Sequence, residues 1–283
     1  MHLGTVSQVW RYPVKSMIGE RLESATLGSR GVPGDRGWAV YDVERGGVTN
    51  AKRLPVLRGC RATYLHEPRD GEGPPPVELT LPDGTRMTTD DPDAPRRLTE
   101  AVGRPVTLES LGPEGSGSAP RISSTGDTPE VRRDLMGLAA GEPEADMSAF
   151  PGERLAELRK GNFFDAMPVH LLTTATLATL TRLAPESIWD ERRFRMNLLV
   201  DTGDADGYPE LEWIGRRVRL GSAVVELTDG CPRCVMVTQA FDELPRDPRL
   251  MRTLVRETEH VAGVYGTVIV PGHVDVGALV VTA

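Results

Sequence analysis

Short alternating segments, each closed by a turn signal, constrain the fold of this chain more than any other feature of its sequence. LGTVSQVWRY, WAVYDV, VELTL and RPVTLES lie within the first 110 residues, and GVPGDRG and PDGT separate some of them. Alternation with a period of two predicts half-buried strands, and clusters of Gly, Pro and Asp predict turns. MNLLV, RVRLG, VYGTVIV and HVDVGALVVTA continue the pattern to the end of the chain. The sequence therefore predicts a β-rich fold.

Three segments predict helices beside these strands. Asp91 and Pro92 are a suitable start for a short helix. Apolar residues at helical spacing predict a second helix over 171–183, and the third, over 247–260, begins at an Asp-Pro pair and has a clear apolar face. Residues 111–128 are dominated by Gly, Ser and Pro, which indicates a domain boundary or a mobile loop.

Charge and composition exclude several classes of protein. The 283 residues carry a formal net charge of −8, whereas proteins that bind duplex nucleic acid usually carry an excess of Lys and Arg. No stretch approaches the roughly 18 apolar residues of a membrane span, and the N-terminus lacks the pattern of a signal peptide. Three cysteines argue against a disulfide framework. We therefore expect a cytoplasmic protein with neither duplex nucleic acid nor a membrane as partner.

The motif CPRC at residues 231–234 has the clearest chemical potential. Its two thiols could begin a zinc site, but tetrahedral zinc takes four ligands and the remaining cysteine, Cys60, is distant in sequence. A redox dithiol is typical of a strand-to-helix junction, whereas the flanks VVELTDG and VMVTQAF both resemble strands. A β-turn with incidental cysteines also stays open. Arg233 favours the thiolate form of a neighbouring cysteine, and a thiolate suits a soft, high-valent metal.

Three further motifs supply cations and hydrogen-bonding groups. YPVKS presents Lys15 and Ser16 together after a strand, and GDRGW places Arg36 between glycines, where the backbone can approach a ligand. Arg195 and Asn197 of FRMN are two residues apart, so on a strand they would face the same side. Taken singly, each of these residues also fits a surface cation, a tight turn or a salt bridge.

The segment FDAMPVH offers a carboxylate and a histidine. Asp165 precedes Pro168 and suits the cap of a following helix, and His170 fits a core or surface position. The chain contains no HExxH, Walker A or strand-associated GxGxxG motif.

Taken in order, YPVKS, GDRGW, FDAMP, FRMN, EWIGRRVRLG, CPRC, VYGTVIV and GHVDVG resemble the MOSC-domain proteins that carry an N-terminal β-barrel domain. Within this family the resemblance is to the amidoxime-reducing molybdenum-cofactor proteins. It runs from about Leu3 to Val281 and is weak through residues 111–160. It implies a β-rich α+β fold, with a MOSC-type β-barrel, a smaller N-terminal β-barrel-like domain and a few peripheral helices. We place the N-terminal domain at 1–115 and the MOSC domain at 116–283.

The resemblance also implies a chemistry. A pyranopterin dithiolene molybdenum cofactor would serve an oxidoreductase that removes oxygen from a small N-hydroxylated substrate, with two electrons and two protons giving an amine-type product and water. Cys234 would ligate the metal, and Asp165 would lie near the metal on the opposite side and orient water or carry a proton. The other positions that match the family's binding residues would hold the cofactor: Lys15, Ser16, Arg36, Ala166, Met167, Arg195, Asn197, Pro232 and Arg233. The cations among them suit an anionic ligand.

Some positions depart from the family. Relatives often have small hydroxyl residues in place of Ala166 and Met167, so contacts there would come from the backbone, and Ala278 replaces a frequent acidic residue. The chain lacks the cysteine cluster of a plant-type ferredoxin domain, so we expect a separate ferredoxin- or flavoprotein-like electron donor. Pyridoxal phosphate is a more distant analogy within the family and is not favoured.

Two other functions stay open. MOSC domains also resemble modules proposed to carry sulfur or molybdenum cofactor without turnover, in which Cys234 would accept sulfur or bind the metal transiently. A structural zinc site, or a plain β-barrel binding module, is the remaining alternative.

Overall fold

The computed structural model describes residues 1–112, 128–148, 153, 163, 164 and 166–283. The predicted boundary at 111–128 falls almost wholly outside this part of the chain, and Asp165 lies outside it as well.

Strands dominate the described residues. In chain order they are β1 (His2–Arg11), β2 (Glu20–Leu22), β3 (Ser24–Leu27), β4 (Trp38–Asp42), β5 (Gly47–Val48), β6 (Arg61–Tyr64), β7 (Val77–Thr80), β8 (Arg86–Thr88), β9 (Val106–Ser110), β10 (Val169–Thr173), β11 (Leu198–Asp201), β12 (Arg217–Leu220), β13 (Ala223–Pro232), β14 (Val261–Val270), β15 (Gly272–Asp275) and β16 (Leu279–Thr282). The α-helices of this part of the chain are α1 (Ala94–Val102), α2 (Pro129–Met136), α3 (Thr174–Leu183) and α4 (Arg249–Thr258). Short 3-10 helices span Pro55–Gly59, Glu191–Arg193, Pro209–Trp213 and Val235–Thr238.

The largest sheet closes on itself. Its order is β11-β10-β14-β13-β12-β16-β1-β2, and β1 also pairs with β11, so all of these strands except β2 form a barrel. Only β10 and β11 of the barrel run parallel; α3 lies in the crossover between them, as a parallel pair requires. Alternate side chains from the barrel strands fill one apolar core, which includes Val6, Leu171, Leu198, Val225, Val264 and Val280. The predicted β-rich α+β class with a MOSC-type barrel is confirmed.

The remaining strands of the first half form smaller sheets. β5-β4-β9 and β6-β7-β8 are three-stranded, and β3 pairs with β15. A second apolar core lies among these sheets, and it also contains Met236 from the far half of the sequence. Strands of the first half pair with strands of the second: β1 belongs to the barrel, and β3 pairs with β15. The two halves are therefore joined by strand pairing as well as by core contacts. The domain boundary at residue 115 stays a prediction.

Two local predictions were wrong. Residues 171–173 are strand, because Val169–Thr173 is buried on both faces between β11 and β14, and the helix begins only after Thr173, whose Oγ1 accepts a hydrogen bond from Thr176 N at 3.2 Å. The segment after CPRC is a 3-10 helix, Val235–Thr238, instead of a strand.

The two other predicted helices are present. α1 starts at Ala94, two residues after Pro92, and α4 lies within the predicted 247–260. The N-cap residue of α4 is Pro248 and has no side-chain cap, while Asp247, one residue earlier, accepts a hydrogen bond from Arg249 N at 3.0 Å through its Oδ1. No helix in the described ranges has both the length and the apolar character needed to cross a bilayer.

Candidate functional site

A cavity of about 210 Å³ is lined by residues from both halves of the sequence. Every predicted site residue that the structure describes lies in its wall: Lys15, Ser16, Arg36, Ala166, Met167, Arg195, Asn197, Pro232, Arg233 and Cys234. Asp165 alone of the predicted set falls outside the described residues. The structure thus brings these side chains together, while their roles stay predictions.

Lys15 is a buried cation at the end of the first barrel strand. Only 4% of the residue is exposed. Its main-chain N–H donates to Trp38 O, and its Nζ donates to Phe163 O, each at 2.8 Å. These bonds fix the lysine against a segment 148 positions later in the sequence. Burying an ammonium group is costly unless it meets acceptors or a counter-charge, and Phe163 O is one such acceptor.

Three predicted site residues have left-handed backbone conformations. Ser16, Arg36 and Arg195 have φ values of 75°, 49° and 56°. Such conformations cost free energy for residues other than glycine and persist where the surrounding structure enforces them, often at functional sites. At Ser16 the enforcing contact is a hydrogen bond that its Oγ accepts from Ala51 N at 3.0 Å.

A pair of substitutions at Ser16 tests this strain. Ser16→Ala and Ser16→Gly both lose the bond to Ala51 N, but glycine adopts φ of 75° without a Cβ clash. We expect the alanine variant to be less stable than the glycine variant by about 1 kcal/mol. Urea unfolding of both variants without cofactor measures the difference, and equal stabilities would show that the left-handed conformation is not strained.

Tyr12 lies between two of the predicted cofactor-binding arginines. The guanidinium carbons of Arg36 and Arg195 lie 4.7 and 4.3 Å from its ring centre. Its hydroxyl donates to Met196 O at 3.1 Å, and burial raises its pKa to about 12 although both arginines oppose this. A neutral ring between two cations holds their planes in place through cation–π attraction. Tyr12 belongs to the motif YPVKS, but only Lys15 and Ser16 of that motif were predicted to be site residues.

The carboxylate of Asp35 connects the guanidinium of Arg36 to the side-chain amide of Asn197. Its carboxylate accepts from Tyr12 N at 2.7 Å, from Asn197 Nδ2 at 2.9 Å and from the Arg36 guanidinium. Arg36 also donates to Arg195 O at 3.1 Å. Asp35 therefore partly neutralises the cavity wall and fixes the direction of Arg36. The Asp35 carboxylate is one of several contacts that join the first half of the chain to the FRMN segment.

Arg195 and Asn197 share the cavity wall for a different reason from the one predicted. Strand pairing begins only at Leu198, so strand alternation does not apply to Arg195. Its left-handed backbone turns the guanidinium towards Tyr12 and Met17, whose carbonyl accepts from Nη1. Asn197 accepts from His170 N at 3.1 Å and is buried.

The CPRC motif begins with the last two residues of β13 and continues beyond the strand. Arg233 N donates to His260 O at 2.8 Å, which holds the turn against the strand that begins at Val261. The Arg233 guanidinium donates to Cys231 Sγ at 2.7 Å and to Phe194 O at 2.6 Å. The thiol that Arg233 contacts is thus Cys231.

The two cysteines of the motif differ in environment. Cys231 is buried, and burial raises the pKa of its thiol although Arg233 and Tyr265 act against this shift. A thiol with a raised pKa is protonated at neutral pH and is a poor metal ligand. Cys234 is only half-buried and lies in the cavity wall. The accessible thiol is therefore Cys234.

His170 is a buried histidine in the wall of the same cavity. Burial lowers its pKa well below the usual value, and the charges of Arg233 and Arg36 lower it further. Its Nε2 has no hydrogen-bond partner in the part of the chain that the structure describes, and neither has Arg233 Nε. The imidazole is therefore neutral at pH 7.

This shift predicts a loss of stability in mild acid. Because the folded pKa of His170 lies below its unfolded value near 6.5, the unfolded chain binds the extra proton as the pH falls below 6.5. We expect His170→Leu to lower the slope of unfolding free energy against pH between 6.5 and 5.5 by up to about 1.4 kcal/mol per pH unit. Urea unfolding across this range measures the slope, with exposed His66→Gln as control. An unchanged slope in the leucine variant would contradict the assignment.

The donor set of the cavity fits an anionic, metal-binding cofactor. The wall contains five cationic side chains, and Cys234 is the one thiol among its described residues. The cations are Lys15, Arg36, Lys52, Arg195 and Arg233. Charge-assisted hydrogen bonds to phosphate are among the stronger ones in proteins, and the unpartnered nitrogen of Arg233 shows that the protein leaves part of this buried guanidinium unsatisfied. In the described residues no cluster of three or more His, Cys, Asp or Glu side chains is placed to hold a metal ion.

Other residues of the cavity wall were not predicted as site residues from the sequence. They are Asn50, Lys52, Met136, Met147, Phe164, His170, Phe194, Met236 and Tyr265. Phe164, Phe194 and Tyr265 belong to the motifs FDAMP, FRMN and VYGTVIV, so they could have been predicted from their place in these motifs. Asn50 and Lys52 lie in a loop with no pattern, and tertiary contacts alone bring them to the cavity.

Models of two known protein families match this chain, one in each half. Residues 158–281 match the MOSC domain, and residues 3–98 match the MOSC N-terminal beta barrel domain. The chain is a MOSC-domain protein with a MOSC N-terminal β-barrel domain. The family resemblance inferred from the motifs is thereby confirmed.

Individual relatives are distant. The MOSC protein is 25% identical over 244 residues to mitochondrial amidoxime reducing component 2 of Rattus norvegicus, a match that covers 83% of this chain and 67% of the relative. The Bos taurus protein of the same name is 25% identical over 240 residues, covering 83% and 66%. The YUAD protein from Bacillus subtilis aligns over 98% of this chain and 93% of its own, with 12% identity and a TM-score of 0.44. The chain thus spans about two thirds of the length of the two curated relatives.

Proposed function

We propose that this MOSC protein is a molybdenum-cofactor-dependent reductase of N-hydroxylated compounds, with Cys234 as the protein ligand of the metal. One observation supports this most directly. The half-buried thiol of Cys234 lies in a cavity with five cationic side chains drawn from both halves of the chain. The distant similarity to amidoxime reducing component 2 supports the same substrate class.

Each part of the wall has a distinct task in this proposal. Lys15, Arg36 and Arg195 hold the phosphate and pterin by charge-assisted hydrogen bonds, with Ser16 and Asn197 as neutral partners. Tyr12 and Asp35 keep the two arginines in place. When bound, the cofactor supplies a two-electron centre for the removal of an N-hydroxyl oxygen.

Proton supply is the second task of the protein. The predicted acid or base is Asp165, which would deliver protons to the departing oxygen. His170 is neutral and buried, and its lowered pKa makes it a poor proton donor at pH 7. Electrons would come from a separate donor protein.

The test is elemental analysis combined with turnover. Protein purified from a molybdate-fed host should contain about one molybdenum per chain and should reduce benzamidoxime with an artificial electron donor such as reduced viologen. A persulfide on Cys234 without turnover would contradict the enzyme and support the sulfur carrier. Zinc without molybdenum would contradict both.

A further inference from the structure

Arg58 is a completely buried arginine that does not line the cavity. It belongs to the 3-10 helix Pro55–Gly59, and 1% of the residue is exposed. Its Nη2 donates to Arg192 O at 3.0 Å, and its guanidinium carbon lies 3.7 Å from the centre of the Phe241 ring. Its Nε has no hydrogen-bond partner in the described ranges of the chain. The fold thus buries a cation and leaves part of it unsatisfied, which calls for a reason.

No carboxylate of the described residues forms an ion pair with this cation. Burial lowers the pKa of Arg58 well below its usual value, and the charge of Arg195 lowers it further. Asp242 acts against this shift, but its carboxylate pairs with Arg61 at 3.0 Å and with Arg192 at 3.5 Å. Because a guanidinium keeps its proton at neutral pH, the uncompensated charge costs the unliganded protein stability.

The backbone around Arg58 contacts the segment that carries Arg195 into the cavity. Arg192, whose carbonyl accepts from Arg58, precedes Arg195 by three residues. Met17 O accepts a hydrogen bond from the Arg195 guanidinium. The residue after Met17 donates its N–H at 2.8 Å to Cys60 O, and Cys60 directly follows the 3-10 helix of Arg58. Neighbouring pieces of backbone therefore hold the two guanidinium groups, one in the cavity wall and one outside it.

We infer that Arg58 is a positioning residue for the anion that the cavity binds. Its positive charge repels the guanidinium of Arg195 towards the cavity, and its bond to Arg192 O keeps that segment in place. Repulsion between buried charges is weakly screened, so it destabilises the unliganded fold. A bound anion attracts both guanidinium groups and relieves the repulsion. The inference rests on the proposed function for the identity of the anion, a cofactor phosphate.

The test compares two variants that differ in charge. Arg58→Lys keeps the positive charge, whereas Arg58→Gln is neutral and retains an N–H donor. Full-length protein without cofactor is titrated with inorganic phosphate at constant ionic strength, and the rise in Tm gives the phosphate Kd. We expect Arg58→Gln to bind phosphate about tenfold more weakly than Arg58→Lys. Without phosphate, Arg58→Gln should have the higher Tm of the two, because it buries no charge.

This opposite order of stability and affinity is the signature of the inference. An arginine with a merely structural role would lower Tm when replaced, and the phosphate Kd would not follow the charge of the new residue. Equal Kd values for the two variants would overturn the inference. So would a lower Tm or an unfolded chain for Arg58→Gln relative to Arg58→Lys, and so would a wild-type Tm that phosphate does not raise.

Arg193 provides the matched control, since it too is 1% exposed. The carboxylates of Asp190 and Asp247 act against the burial that lowers its pKa, so its charge is partly compensated. Arg193→Gln should lower Tm through lost hydrogen bonds and should change the phosphate Kd by less than about twofold. A tenfold weaker Kd in this variant would show that any buried arginine has the effect assigned to Arg58. The guanidinium of Arg193 donates to four carbonyls, those of Ile188, Val237, Gln239 and Pro245.

The same measurements separate this inference from the proposed function. Charge-dependent phosphate binding in a protein that never retains molybdenum would rule out the reductase and leave the role of Arg58 in place. Full molybdenum content and turnover in the wild type, together with equal phosphate Kd values in Arg58→Gln and Arg58→Lys, would remove the role of Arg58 and leave the reductase.

Discussion

Replacement of Cys234 by alanine is expected to remove molybdenum from the protein and to reduce turnover of N-hydroxylated substrates at least about a thousandfold. Within the described part of the cavity wall, no other thiol lies beside Cys234. Cys231 cannot replace it, since Cys231 is buried, accepts a hydrogen bond from Arg233, and has a raised pKa. Molybdenum per chain, measured by inductively coupled plasma mass spectrometry after desalting, is the primary readout.

The control for this substitution removes a different thiol. Cys60 is completely buried in the core of the N-terminal half, and burial raises its pKa to about 12. Cys60→Ala should cost about 1–2 kcal/mol of stability through the lost packing and should retain the metal. Cys234→Ala should lose the metal and cost less stability than Cys60→Ala, because Cys234 is only partly buried where it packs against the same core. Full metal content and turnover in Cys234→Ala would rule out the proposed ligation.

The predicted residues that the structure brings to the cavity share one property: each belongs to a short motif whose chemistry is local. YPVKS, GDRGW, FRMN and CPRC each present functional groups beside a turn, so motif and resemblance were sufficient to select Lys15, Arg36, Arg195 and Cys234. The left-handed backbone at Ser16, Arg36 and Arg195 was not predicted, because no glycine or asparagine marks those positions. Only the surrounding hydrogen bonds enforce it.

Errors arose where tertiary contacts decide the local structure. The sequence VMVTQAF has strand propensity, yet Val235–Thr238 is a 3-10 helix. Buried Arg193 donates to Val237 O and Gln239 O, each at 3.1 Å, and Thr238 Oγ1 donates to Val235 O at 2.8 Å. In a strand these carbonyls would accept hydrogen bonds from a neighbouring strand. Here side chains satisfy them, so tertiary contacts outweigh the strand propensity of the segment.

The pairing partners of the strands could not be predicted from the local sequence either. Alternation predicted β1 as a strand, but nothing in residues 2–11 shows that it closes a barrel with β11 and β16. The motif YPVKS follows β1 directly in the sequence. The position of β1 in the barrel therefore places Lys15 in the wall of a cavity formed mainly by the second half of the chain. The site therefore depends on a long-range pairing as much as on its motifs.

Replacement of Lys15 by methionine tests whether this N-terminal contribution is needed. The ammonium group is buried, so its interaction with an anion is weakly screened and worth more than at a surface. We expect the variant to lose cofactor about 10- to 100-fold faster, since a charge-assisted hydrogen bond contributes about 1.5–3 kcal/mol. The measurement is the rate of molybdenum loss during dialysis against a chelator.

The fold should tolerate this change. Methionine has a similar length, and the loss of the bond to Phe163 O is offset in part because one of the five positive charges in the cavity wall is removed. Without cofactor the variant should therefore unfold close to the wild-type temperature, while the rise in Tm on cofactor binding should be smaller, as linkage requires. Lys52→Met is the matched control: Lys52 lines the same cavity but is only partly buried, so solvent screening should make its effect on retention several-fold smaller. Equal retention by Lys15→Met and the wild type would mean that Lys15 does not hold the anion.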